Sequence, residues 1–284
     1  MSFMKSLALI VLGIVIALAA VRFEPHKTES TAKIEPAYDR VMKTRTIRCG
    51  WVNYPPATYK DPNTGQLQGI FVDVMDNVGK QLDMKIDWSF ETTWASFYED
   101  IRTQKFDVAC TAAWLLSSGE ILSGEFTTPL YYSQIGAWAR KGDTRFDNHI
   151  EAVNSPDITI TGTDGSYAQQ LAAKKFPLAK NFSAPANAEY ITGLMNVAYG
   201  KADVTFIENW LASNYLQKNP DTVRQVIVAK PLDTRPNVMM VNKGEFDLLS
   251  MLNYALLNVQ LTGEMDRILD KYENQPGVFK RLRL

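Results

Sequence analysis

Phe106-Asp107-Val108-Ala109-Cys110-Thr111, followed after a turn by Phe126-Thr127-Thr128-Pro129-Leu130-Tyr131-Tyr132, is the stretch that decides the fold. The first six residues read as a short apolar strand that ends in small side chains. A turn and a helix start follow, then an aromatic-proline-aromatic entry into a second strand. Upstream stands Gly69-Ile70-Phe71-Val72-Asp73 and downstream Gly200-Lys201-Ala202-Asp203-Val204. Working outward, residues 46–51 read as a first strand stopped by Tyr54-Pro55-Pro56, with a turn at 61–65. Val72, Met75, Val78 and Leu82 recur at a helical period, and 84–90 alternates as a strand. Ser96-Phe97-Tyr98-Glu99 has the pattern of a capping box, on a helix beginning near Thr93. The second part repeats the alternation: strands at 157–162, 203–207 and 223–228, and helices at 166–175, 187–199 and 209–217. Residues 237–242 are extended, and two amphipathic helices occupy 246–261 and 264–272. Alternating strands and helices argue for parallel α/β units. No short internal repeat is visible.

The chain has 284 residues, 46% hydrophobic and 21% charged. That is an ordinary globular composition, long enough for two lobes or one large domain. A net charge of −1 gives no general attraction to nucleic acid or anionic membrane. Two cysteines do not make a disulfide scaffold. His26 and His149 stand far apart in sequence, so neither a metal site nor a cofactor is expected. No GxSxG, HExxH or phosphate-loop pattern occurs. At the N-terminus Lys5 precedes an uncharged apolar run, residues 7–21, which is short for a membrane span of ~20 residues. Ala17-Leu18-Ala19 offers a small-x-small cleavage pattern. Residues 1–21 therefore read as a signal peptide or an uncleaved anchor, and 22–38 as a polar linker. Either way the working part of the chain is expected to be periplasmic or extracytoplasmic.

Taken in order, these markers resemble the extracytoplasmic solute-binding proteins of amino-acid-type ABC importers, family 3, over about residues 46–272. Gln104-Lys105-Phe106-Asp107, Gly200 to Asp203 and the closing Met265-Asp266-Arg267-Ile268-Leu269-Asp270-Lys271-Tyr272 carry the resemblance with the stretches above. It implies an α/β, two-lobed periplasmic-binding-protein-like (type II) fold. The first lobe is expected at 39–134 and the second at 135–236, with 237–284 returning to the first. The stretches 135–139 and 237–241 are expected to cross between the lobes as hinge strands. It also implies a monomer without nucleic-acid partners that closes on a small polar solute, amino-acid-like or a cationic amine. The closed form would dock on a membrane permease. A dehydratase on the same fold, with Glu208 as general acid, and a tethered sensor are the alternatives.

The family's Thr-x-x-Arg turn, which grips a ligand carboxylate, corresponds here to Ser117-Ser118-Gly119-Glu120. No arginine occurs between Arg102 and Arg140, so the guanidinium fork is missing. Ser117 and Glu120 also fit a capping box. Glu208 stands where the family often holds the ligand ammonium with an aspartate. Its plainer reading is an acid at a helix N-terminus. In Asp164-Gly165-Ser166, the glycine permits the turn and Ser166 opens a helix. Trp51 and Trp114 are expected to face ligand, with Tyr54 beside them, and Trp94 to lie in the core. The expected site is thus Trp51, Tyr54, Ala112, Trp114, Ser117, Ser166 and Glu208, an acidic cleft favouring a cation. Were the ligand an anion, Arg140 or Arg235 would be the replacement cation. Cys49 and Cys110 end strands that are neighbours in this fold, as a disulfide or as two buried thiols.

Overall fold

A computed structural model of the chain describes residues 35–94, 96–114, 118–185 and 188–282. The expected signal or anchor segment, most of the linker and Ser117 lie outside the described residues. Helix α1 (Ala37–Thr44) begins inside the stretch read as linker, with Asp39 in its first turn and Lys43 in its last, as a helix dipole favours. The Ala37 amide donates to Glu245 Oε1 at 2.8 Å, tying the helix start to a distant part of the chain. Strand β1 (Thr46–Trp51) leads to the proline turn, then to the hairpin of β2 (Tyr59–Lys60) and β3 (Leu67–Gln68). Gly69 has φ 137°, and a Cβ there would stand 2.4 Å from the Ala57 carbonyl oxygen. Only glycine can open α2 (Ile70–Leu82) this way. α2 buries Val72, Met75 and Val78 of the expected period and half-buries Leu82, and it buries Ile70, Phe71 and Val74 as well. β4 (Lys85–Glu91), α3 (Phe97–Arg102), β5 (Val108–Ala113), α4 (Ser118–Ser123) and β6 (Gly124–Phe126) follow.

The second part runs β7 (Tyr131–Arg140), β8 (Thr159–Thr163), α5 (Tyr167–Lys175), β9 (Lys180–Ala184), α6 (Thr192–Ala198), β10 (Val204–Glu208), α7 (Asn209–Lys218) and β11 (Val223–Gln225). The chain then returns through β12 (Asp233–Asn242), α8 (Phe246–Leu261), α9 (Glu264–Tyr272) and β13 (Phe279–Lys280). Ser96 and Ser166 precede α3 and α5 but make no capping hydrogen bond from their side chains. Ser96 instead engages Thr92 and Thr93, and Glu99 pairs with Arg102, so the expected box does not form.

Strand order is β4-β1-β5-β12-β7-β10-β8-β9. β4, β1 and β5 are parallel, and β12 lies antiparallel on β5. The other half mirrors this: β9, β8 and β10 are parallel, and β7 lies antiparallel on β10. Two lobes result, each finished by a strand that belongs in sequence to the other's side. Each has its own core: Ile47, Phe71, Met75 and Leu256 pack in the first, Phe146, Ile160, Leu171 and Phe206 in the second. Cys49 and Cys110 form a disulfide between β1 and β5, with 5.3 Å between Cα atoms.

One crossing stretch lies elsewhere than expected. Residues 136–139 are buried and pair with β10 and β11 and not with β12, so within 135–139 Ile135 alone also pairs with β12. The crossing lies just before, where Tyr131 to Ile135 pair with Asn237 to Asp233. β12 does pass from one half to the other: Asn237 pairs with Tyr131, while Val238, Met240 and Val241 pair with β5. β13, which sequence patterning did not anticipate, adds a third strand at the crossing through Phe279–Ser133 and Lys280–Tyr132.

The halves also share a four-residue device that sequence inspection did not register as a repeat. Gln104 and Gly200 both adopt left-handed backbone, with φ 54° and 74°. Three residues on, Asp107 accepts the Arg48 amide of β1 at 2.7 Å, and Asp203 accepts the Thr159 amide of β8 at 2.9 Å. Asp107 holds Arg40 and Arg48, and Asp203 holds Arg140 and Arg145. The Gly-x-x-Asp marker is therefore a strand anchor.

Candidate functional site

A cavity of about 430 Å³ is lined from both halves of the sheet. Tyr54, Trp94, Ala112 and Trp114 reach it from the first, and Ser166, Tyr167, Tyr190 and Glu208 from the second. Each is set by local chain geometry. The Tyr54 amide donates to Thr58 O at 2.7 Å, and the Ala57 amide returns to Tyr54 O at 2.9 Å, so the Pro55-Pro56 turn fixes the ring. Ala112 lies near the end of β5, where a small side chain leaves room. Glu208 ends β10 and precedes α7, the strand-to-helix junction at which ligands bind in such sheets.

Glu208 is buried, and its carboxylate accepts the Tyr54 hydroxyl at 2.9 Å across the cavity. The Ser133 hydroxyl also bonds to it. A chain of bonds continues through the crossing strands. Trp114 Nε1 donates to Asn237 Oδ1 at 2.9 Å, and Asn237 Nδ2 donates to Ser133 Oγ at 3.0 Å. Burial raises the Glu208 carboxyl to about 7, against the lowering effect of its bonds from Tyr54 and Ser133. Burial, and then the charge of Glu208, push the Tyr54 and Tyr131 hydroxyls well above the usual phenol value.

Aromatic rings form much of the wall. The Tyr54 ring lies edge-on to Tyr190, centroids 4.8 Å apart, and to Trp94 at 5.9 Å. Trp94 Nε1 reaches Tyr190 Oη at 3.3 Å, a second contact between the halves. Trp114 meets Tyr167 edge-on at 5.6 Å. Ser166 Oγ is buried beside the cavity without a hydrogen-bond partner among the described residues.

Five expected site residues are brought together: Tyr54, Ala112, Trp114, Ser166 and Glu208. Trp51 is not among the lining residues. Its ring is buried and its Nε1 donates to Trp88 O at 3.0 Å. Trp94 reverses the other way. It is 40% exposed on the cavity wall, since the turn before α3 carries it out of the core. Tyr190 was not anticipated. The helix expected from 187 begins at Thr192, leaving Tyr190 in the approach, where the sequence reading had placed it inside the helix. Ser133 and Asn237 gave no sequence signal, for they matter only once the crossing strands pair. Neither Arg140 nor Arg235 lines the cavity. Arg140 is held by Ala202 O and Asp203, and Arg235 by Asp233 and the Tyr167 hydroxyl.

The family described as bacterial extracellular solute-binding proteins, family 3, matches residues 47–275. The L-cystine-binding protein TcyA of Bacillus subtilis (strain 168) is 23% identical over 286 residues, covering 93% of this chain and 96% of that protein. A putative ABC-transporter binding component from Wolinella succinogenes, complexed with lysine, superposes with a TM-score of 0.70 at 21% identity, covering 81% of this chain and 97% of that one. The ancestral amino acid-binding protein AncCDT-1, described as a precursor of cyclohexadienyl dehydratase, superposes at 0.68 with 24% identity, covering 82% and 97%.

Proposed function

Because the chain belongs to the bacterial extracellular solute-binding proteins, family 3, we propose that it binds a small polar solute between its lobes, outside the cytoplasm, and presents it to the permease of an ABC importer. The observation that carries this reading is the cavity lined from both halves, with Tyr54 and Glu208 meeting across it. Its volume is that of a small-molecule site, and hinge closure around a solute would bend the strands that meet at the crossing, β7, β12 and β13. We take the first lobe as residues 37–134, starting at α1, the second as 135–236, and the remainder as the return. Residues 1–21 are taken as the export signal or anchor, and the protein as a monomer.

An enzyme on this fold would use Glu208 as general acid, a role that suits a carboxyl near 7. A carboxylated substrate would also need a cation, and the described lining holds none. Binding without chemistry is the reading taken.

A thermal-shift screen with amino acids, amines, quaternary amines and small sugars tests it, since a ligand of the native state raises apparent stability. At least one class is expected to raise Tm by several degrees. Silence across the panel would count against the reading. With a hit in hand, Trp94→Ala is expected to weaken binding about tenfold, as the loss of one aromatic wall. Tyr54→Phe is expected to weaken it about fivefold by removing one bond to Glu208. Calorimetry reads both, and unchanged affinity in both variants would put the solute elsewhere.

A further inference from the structure

We propose that the solute is an organic cation without a carboxylate, a primary amine whose ammonium sits on Glu208 while its body lies against the rings of Tyr54, Trp94 and Tyr190. This rests on the solute-binding reading above. Of the described side chains that line the cavity, Asp164 and Glu208 are acidic and none is Lys, Arg or His. A ligand carboxylate there would be desolvated beside like charge, with no guanidinium or ammonium to meet it. Arg140 and Arg235 do not line the cavity and are paired with Asp203 and Asp233. The turn at 117–120 supplies no basic residue.

The cavity offers a positive group an acidic seat and aromatic walls. Glu208 has two hydroxyl donors fixing its orientation, from Tyr54 and Ser133, and a carboxylate keeps further lone pairs for an N–H donor. Aromatic faces attract cations by about 0.5–2 kcal/mol each. Ser166 Oγ is a buried polar atom, without a hydrogen-bond partner among the described residues, that can bond to a second polar group on the ligand. A primary ammonium donates charge-assisted hydrogen bonds to Glu208, which a trimethylammonium group cannot do.

The test is a set of matched pairs, each amine set against the amino acid that differs from it only by the carboxylate: cadaverine and lysine, tyramine and tyrosine, histamine and histidine. Titration calorimetry of the full chain at pH 8 is expected to find at least one amine binding at least tenfold more tightly than its partner. Glu208→Gln, checked for folding by circular dichroism, is expected to weaken that amine at least thirtyfold. The N-trimethylated form of the amine is expected to bind at least tenfold more weakly. An amino acid binding as tightly as its amine would overturn the proposal and leave the solute-binding reading standing. Unchanged amine affinity in Glu208→Gln, or equal affinity for the trimethylated form, would overturn the assigned ammonium seat. Failure of all six compounds would overturn the proposal, and silence across the wider screen as well would overturn both readings.

Discussion

At pH 8 and without ligand, the Glu208→Gln variant is expected to be more stable than the wild-type protein. The Glu208 carboxyl sits at about 7 in the folded protein against an ordinary 4.5, raised by burial. Between these values the native state holds a proton that the unfolded chain releases. The stabilising contribution is fully present below 4.5 and is lost as pH rises through about 7. At about 1.36 kcal/mol per unit, the ionised side chain costs the native state about 3 kcal/mol at pH 8. Glutamine has nearly the same shape, keeps a carbonyl oxygen to accept from Tyr54, and carries no charge. Urea unfolding at pH 5 and pH 8 reads the effect. The variant's advantage should grow by at least 2 kcal/mol between the two, and a constant difference would mean that Glu208 titrates like an exposed acid. A stabilising substitution that removes ligand binding is what a charged group held for function produces.

The second large effect is expected at Asp107. Its side chain is fully buried. It accepts Arg40 Nε at 3.0 Å, Arg48 Nη2 at 2.8 Å and the Arg48 amide at 2.7 Å, and pairs again with Arg40 Nη2. Asp107→Ala leaves two guanidinium groups and a strand amide without their acceptor. Breaking such a pair costs about 3–5 kcal/mol, toward the lower end here because both arginines are partly exposed. Asp107→Asn keeps an acceptor and should lose less. Chemical denaturation of both variants checks this, and a loss under about 1 kcal/mol for Asp107→Ala would show that the anchor is not needed.

Part of the candidate site was legible because the ends of strands face the cleft in this kind of sheet. Tyr54 beside two prolines, Trp114 after β5, and Glu208 closing β10 all read as cleft-facing and all line the cavity. The reading failed where exposure depended on a neighbour. Trp51 and Trp94 look alike in sequence, yet Trp51 is buried with its Nε1 on Trp88 O and Trp94 stands on the wall. A tryptophan's face is decided by what packs over it, and periodicity holds no information about that beyond its own element.

The sequence by itself determined the alternation of strands and helices, the order of the family's markers and the missing arginine. These depend on local period, turn chemistry and residue identity, which the chain carries directly. Only the tertiary structure decided where the lobes cross. The run 135–139 is apolar enough for either role, and 136–139 pair with β10 and β11 and not with β12. Only the fold could bring Ser133, Asn237 and Trp114 into one chain of bonds ending on Glu208. The charge state of Glu208 was likewise a tertiary matter. An acid at a helix start is ordinary in sequence, and it becomes a group near 7 only when residues far along the chain exclude water from it.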